Sequence, residues 1–314
     1  MLRNALVLLA ASGCDYAVGL QHIVPERGAC GPYASVTPVS IVGVEEARGF
    51  SVNADGTMAL VTGKDSAGQT RPIVLHLNGS DWEPDPTPNI QTGLTAGMKG
   101  AKLAPPEPAP NGAKYPAGPL QPAMLLSTVP TGQNKLQVGR YYWTGTTWQQ
   151  DTNQPAFSLA GYDVYPGNVW IRVGDANPDV DRVRHTVLWM VTQDPSEGPN
   201  KVAIMANTPN SFTLEDRART VGFNSLGARV GQAVMTEDRA KLVYSALSGI
   251  RSDIFAVAQD TESRTFDDEG GGISTVNTND DEVEPWINAD CSQLYFRRIP
   301  AETPNEAGQI FVAQ

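Results

Sequence analysis

Two stretches, FSVNADGTMALVTG (Phe50–Gly63) and PWINADCSQLYFRR (Pro285–Arg298), carry the same order of events. An apolar run leads into Asn-Ala-Asp, a tight turn follows, and a second apolar run leaves it. Asp bonds its own backbone and Gly accepts positive φ, so both stretches read as β-hairpins. A turn of the same kind, TEDR (Thr236–Arg239), precedes KLVYSAL (Lys241–Leu247). The aspartates in these turns read as turn formers rather than catalytic acids.

Each hairpin belongs to a larger unit. LHLNGSDWEPD (Leu75–Asp85), YYWTGTTWQQD (Tyr141–Asp151), IMANTPNSFTLED (Ile204–Asp216) and IFAVAQDTESRTFDD (Ile254–Asp268) each run from a β-rich segment through a polar turn to an aromatic residue. Those aromatics, Trp82, Trp148, Phe212 and Phe266, are spaced by 66, 64 and 54 residues. Apolar runs precede each copy at Thr57–Gly63, Pro122–Val129, His185–Val191 and Lys241–Leu247, and Gln293–Arg298 supplies a fifth. Short strands recurring at this period predict an all-β chain folded as a β-propeller, with one unit per blade and five four-stranded blades.

The pattern resembles the WD40-like repeats of TolB-type propellers, most closely in the first, fourth and fifth units. That resemblance implies six blades as the alternative, with a sixth hidden in the Pro-rich stretch Pro84–Pro122, which contains APPEPAPNGAKYPAGP. A long loop bearing the second blade's inner strand is the more economical reading, because the flanking units keep similar spacing.

The last unit is one strand short. EPWIN, QLYFRR and QIFVAQ supply three strands, and the sequence stops at Gln314. An open edge would invite pairing with other chains. YASVTPVSIVGV (Tyr33–Val44) stands before GFSVN as GGISTVNTN (Gly271–Asn279) stands before EPWIN, so it is expected to complete the C-terminal blade and close the ring. Counting strand directions puts Cys30 and Cys291 on one face of that blade. They read either as a disulfide, in an oxidising compartment, or as two buried thiols.

At the N-terminus, Arg3 and the apolar run Ala5–Ala11 read as a secretory signal too short to span a bilayer. LAASGC resembles the lipobox of bacterial lipoproteins, which implies Cys14 as the lipidated residue. The alternative is an ordinary cleaved signal. The expected organisation is a signal over 1–13, a tether over 14–34 and one propeller over 35–314, held by its lipid in the bacterial cell envelope and facing the periplasm or the cell surface.

With 34 acidic against 23 basic residues the net charge is −11, so nucleic acid is not an expected partner. Three histidines lack metal-ligand spacing, and no nucleophile elbow or phosphate loop is present. DANPDVD places Asp175, Asn177, Asp179 and Asp181 at alternate positions, as calcium loops do. Val180 and Thr186, however, stand where such loops need Gly and Glu, and a polar hairpin loop explains the stretch without metal. No other cofactor is implied. Glu45, Glu46, Asp280, Asp281, Glu282 and Glu284 precede or open the first and last inner strands. In a closed ring they border one mouth of the channel, either as solvated charge or as a site for a cation or a basic segment. The function expected is a monomeric, non-enzymatic scaffold presenting this face to a protein or glycan partner in the envelope. The alternative is a glycosidase-like enzyme using channel carboxylates.

Overall fold

The computed structural model describes residues 31–108, 120–151, 156–159, 161–172, 183–192, 201–208, 211–214, 230–237, 240–260, 266, 270–288, 291–304 and 306–314. Every regular element among them is a β-strand. Five antiparallel sheets follow one another along the chain, and each is a blade built from its inner strand outward. The first contains β3 (Glu45–Val52), β4 (Met58–Lys64), β5 (Thr70–Asn78) and β6 (Asp81–Pro84). The second contains β7 (Lys99–Pro108), β8 (Leu120–Thr128), β9 (Gln137–Trp143) and β10 (Trp148–Gln150). The third runs from β11 (Tyr162–Arg172) through β12 (Val183–Thr192) and β13 (Lys201–Thr208) to β14 (Ser211–Leu214). The fourth runs from β15 (Val230–Met235) through β16 (Lys241–Ser248) and β17 (Arg251–Ala258) to β18 (Gly271–Gly272). The fifth holds β19 (Asp281–Ile287), β20 (Leu294–Ile299) and β21 (Gln309–Ala313).

Inner strands touch in ring order: β3 with β7, β7 with β11, β11 with β15, β15 with β19, and β19 with β3 again. The molecule is therefore a β-propeller. The apolar second strands follow from this arrangement. Ala59, Leu60 and Val61 of β4 are all buried, because neighbouring blades cover both faces of the sheet, so the strand reads as a continuous apolar run. The Pro-rich stretch supplies β7, the inner strand of the second blade, as its spacing predicts; residues 109–119 lie outside the described set.

The turns behave as their chemistry requires. Asn53 Oδ1 accepts the N–H groups of Thr57 and Met58 at 3.0 and 2.9 Å, and Asp55 Oδ1 accepts from Thr57 Oγ1 at 2.6 Å. Gly56 sits at φ 72°. In the matching turn of the fifth blade Asn288 Oδ1 accepts from Gln293 N at 2.9 Å, and Cys291 takes the place of Gly56 at φ 57°. Cys291 is disulfide-bonded. The other cysteines, Cys14 and Cys30, fall outside the described residues, as do the signal segment and Asp175, Asn177, Asp179 and Asp181.

The ring closes through the N-terminal segment, with one correction to the expected extent. Only β1 (Val36–Pro38) pairs with β21, at Val36 with Ala313, Thr37 with Val312 and Pro38 with Phe311. Flanking bonds from Ala34 and Ser35 N–H to Gln314 O, and from Val39 N–H to Ile310 O, extend this contact. The chain then leaves the fifth blade, because β1 runs antiparallel and Val39 has already reached the start of β21. Its continuation β2 (Ser40–Ile41) pairs in parallel with β6, at Ser40 with Asp81 and Ile41 with Trp82. The segment expected to finish one blade thus straps two, joining the last to the first. Tyr33 anchors it from the other side, 5 % exposed, with its hydroxyl donating to Cys291 O at 3.3 Å.

Deleting residues 33–44 removes the last sheet's fourth strand and this strap together. The deletion is expected to yield aggregated or non-cooperatively unfolding protein. A soluble deletion melting as cooperatively as the full chain would refute closure by this segment.

Candidate functional site

All five inner strands carry the same irregularity. Between Arg48 and Ser51, Lys99 and Lys102, Pro166 and Val169, Val230 and Ala233, and Val283 and Trp286, two residues oppose one on the neighbouring strand. Each is a β-bulge, which bends the strand and re-aims the side chains around it. The first bulge residue is Gly49, Gly100, Gly167 and Gly231 in four blades and Glu284 in the fifth. Gly49 and Gly100 lie at φ 63° and 59°, and Glu284 lies at φ 59°. Glycine takes that conformation freely, whereas a side chain there costs on the order of 1–2 kcal/mol.

The bulges surround a cavity of about 370 Å³ on the ring axis. Its lining draws on all five inner strands: Arg48 and Gly49, Lys99, Gly100 and Lys102, Tyr165, Gly231 and Gln232, and Val283 and Glu284. Arg297, from the second strand of the fifth blade, also lines it. Glu284 is the one carboxylate among these residues, facing four cations.

Glu284 is held on three sides. Arg297 grips it with Nε to Oε2 at 3.0 Å and Nη2 to Oε1 at 2.8 Å, a paired geometry that only a guanidinium supplies. Gly49 N–H donates to Oε2 at 2.7 Å across the junction of the first and fifth blades. Burial pushes the Glu284 carboxyl up, but Arg297, the Gly49 N–H and Lys102 together outweigh it and hold it below its ordinary value. Arg297 also donates from Nη1 to Ala307 O at 2.7 Å.

Lys102 is 1 % exposed. It stands just after the bulge, where the other blades place Ser51, Val169, Ala233 and Trp286. Its ammonium donates to Gly49 O at 3.1 Å and lies 5.5 Å from the centre of the Trp286 ring. Burial pulls its pKa down to about 8, with Glu284 partly opposing. Gln232, on the inner strand of the fourth blade, lines the same cavity; it is 8 % exposed, and its Nε2 has no hydrogen-bond partner among the described residues.

The six acidic residues read from the sequence do not converge. Glu45 is exposed. Glu46 sits on the rim, paired with Lys64 and 3.8 Å from Arg48. Asp280 accepts from Ala301 N at 3.1 Å and Asp281 from Ser252 N at 2.7 Å, so both brace loops. Glu282 is fully buried against Arg298, with Nε to Oε1 at 2.8 Å, and against Thr278. Glu284 alone enters the cavity. Among the described residues no group of three or more His, Cys, Asp or Glu could hold a metal ion. Arg48, Lys99, Lys102, Gln232 and Arg297 escaped the sequence reading. The signal was present in the aligned bulges RGFSV, KGAKL, PGNVW, VGQAV and VEPWI, where Lys102 and Glu284 break the pattern.

No protein-family model matches the chain, and no curated protein is similar to it. Solved structures do resemble it in shape. A TolB-like protein of Agrobacterium tumefaciens superposes with a TM-score of 0.42 at 12 % identity, covering 82 % of this chain and 71 % of that one. An endo-arabinase of Bacteroides thetaiotaomicron gives 0.49 at 11 %, covering 89 % and 96 %. The α-L-arabinofuranosidase Arb93A of Fusarium graminearum gives 0.46 at 11 %, covering 90 % and 98 %. At such identities the likeness concerns shape alone.

Two outcomes follow for the buried cluster. Glu284→Gly relieves the left-handed strain but strands the Arg297 guanidinium, and should cost on the order of 3 kcal/mol in urea unfolding. Adding Arg297→Met should return stability to within about 1 kcal/mol of the parent; a double variant no better than the single one would show that the pair is not coupled. For Lys102 the folded pKa lies below the unfolded one, so the unfolded state binds more protons between about pH 8 and 10.5. Lys102 therefore penalises folding fully below pH 8 and ceases to do so as pH rises through that window, a change of roughly 3 kcal/mol. Lys102→Met is expected to be more stable than the parent at pH 7 and to lose that advantage by pH 10, measured by thermal melts across the range.

Proposed function

We propose that this protein is a non-enzymatic binding propeller whose working surface is the channel mouth, presented to a protein or glycan partner in the cell envelope. The observation that carries the reading is the lining of the channel. Glycoside hydrolysis needs two carboxylates roughly 5–9 Å apart, whereas Glu284 is the single carboxylate lining the described cavity and Arg297 grips both its oxygens. An acid so held below its ordinary pKa is a poor proton donor. Arg48, 3.8 Å from Glu46, and Lys99 are both exposed at the rim, where an incoming acidic surface can reach them. In this reading Cys14 carries the lipid anchor, and Cys30 is the partner of Cys291. The position of Tyr33 against Cys291 supports that pairing, since Cys30 lies three residues away along the chain.

The test is a pull-down from detergent-solubilised envelopes, run beside a turnover assay on a panel of glycans. The expected result is a partner retained by the parent protein and reduced at least tenfold by Arg48→Glu with Lys99→Glu, with no glycan cleaved. Glycan turnover without a retained partner would overturn the scaffold in favour of the enzyme.

A further inference from the structure

The buried channel holds an unbalanced charge. Of the four cations lining the cavity only Lys102 and Arg297 are buried, and Glu284 is the carboxylate between them, so this buried cluster is one negative charge short. Arg297 has committed its fork to Glu284 and its remaining nitrogen to Ala307 O. Lys102 has not: one of its three N–H donors goes to Gly49 O, and no other acceptor lies within hydrogen-bond distance among the described residues. The second uncommitted group is the Gln232 amide, whose Nε2 carries two N–H donors with no partner among the described residues. Both side chains are more than nine-tenths buried, and both line the same cavity. Buried donors and buried charge are costly unless something accepts from them.

We propose that the channel is a binding site for the carboxylate of a small organic acid, of the size of an acidic monosaccharide, held by the Lys102 ammonium and the Gln232 amide. The chemistry selects a carboxylate over a phosphate. A single negative charge neutralises the buried part of the lining, Lys102, Arg297 and Glu284, whereas Arg48 and Lys99 stand apart at the exposed rim. The free Lys102 and Gln232 N–H groups match the acceptor capacity of two carboxylate oxygens. The buried guanidinium fork that a phosphate would engage at this depth, that of Arg297, is closed on Glu284. The cavity of about 370 Å³ falls within the range of small-ligand pockets and leaves room for a body beyond the carboxylate. Gly49, Gly100 and Gly231 line the cavity, and the bulge of the fifth blade positions Glu284 to hold Arg297 away from the ligand. The site is independent of the rim partner proposed above, since its donors lie on the cavity wall rather than at the exposed rim.

Isothermal titration of the full folded protein with sodium glucuronate, sodium galacturonate, glucose, galactose and glucose 6-phosphate tests the assignment. An acidic sugar is expected to bind at least tenfold more tightly than its neutral counterpart and than the phosphorylated sugar. Lys102→Met and Gln232→Leu are each expected to weaken that binding at least tenfold. Thermal melts confirm that the variants fold, and ligand should raise the melting temperature of the parent but of neither variant. Equal binding of acidic and neutral sugars, preference for the phosphate, or no binding by any of the five compounds would overturn the proposal. So would retention of acidic-sugar binding in both variants. Should one variant fail to fold, the other decides.

Discussion

The pairing of Val36–Pro38 with Gln309–Ala313 is the constraint on which the ring depends. Every blade but the last is built from contiguous chain, so its strands need only local turns. The fifth is finished by residues from the opposite end of the chain, and that long-range contact turns a row of blades into a circle. Continuation of the same segment onto the outer edge of the first blade doubles the joint. A gap between the first and last blades would break at least one of these pairings. It would also expose Phe50, Trp82 and Tyr295, which pack ring against ring at 5.5 and 5.1 Å.

Closure explains how the fifth blade tolerates side chains at two positions where the first blade has glycine. At two positions where the first blade uses glycine in a left-handed conformation, the fifth has Cys291 and Glu284. Each is unfavourable alone and persists because a tertiary bond over-determines it: a disulfide for Cys291, and Arg297 with the Gly49 N–H for Glu284. The Glu284–Gly49 bond itself crosses the closing joint. Strain, closure and the channel cluster are therefore one mechanical unit rather than three features.

Much of this was legible in the sequence. The Asn-Ala-Asp turns, the aromatic spacing and the missing last strand identified the propeller, because turn chemistry and apolar runs are local signals. The strap was only half legible: Val36–Pro38 and Ser40–Ile41 are neighbouring short segments, and nothing in their composition says that they serve different blades. The channel was misjudged for a more instructive reason. Acidic residues clustered in sequence at Asp280–Glu284 drew the reading toward a negative mouth. Alternation along β19 and its bulge, however, sent Glu282 to Arg298 inside the blade and only Glu284 to the axis. The cations that dominate the cavity come one or two per strand from distant blades, and no run of basic residues announces them.

A cationic cavity inside a chain of net charge −11 divides the electrostatics by distance. The acidic exterior acts over the Debye length, about 8 Å at physiological ionic strength, and repels small anions weakly at best. Inside the ring, low-dielectric walls make each donor count for more than it would at the surface. Long-range attraction therefore cannot recruit an anion to this site. Discrimination must arise at contact, from the fit of a carboxylate to Lys102 and Gln232. Such a site is slow to fill and selective once filled, which suits a rigid ring whose cavity is shaped by five bulges rather than by a moving loop.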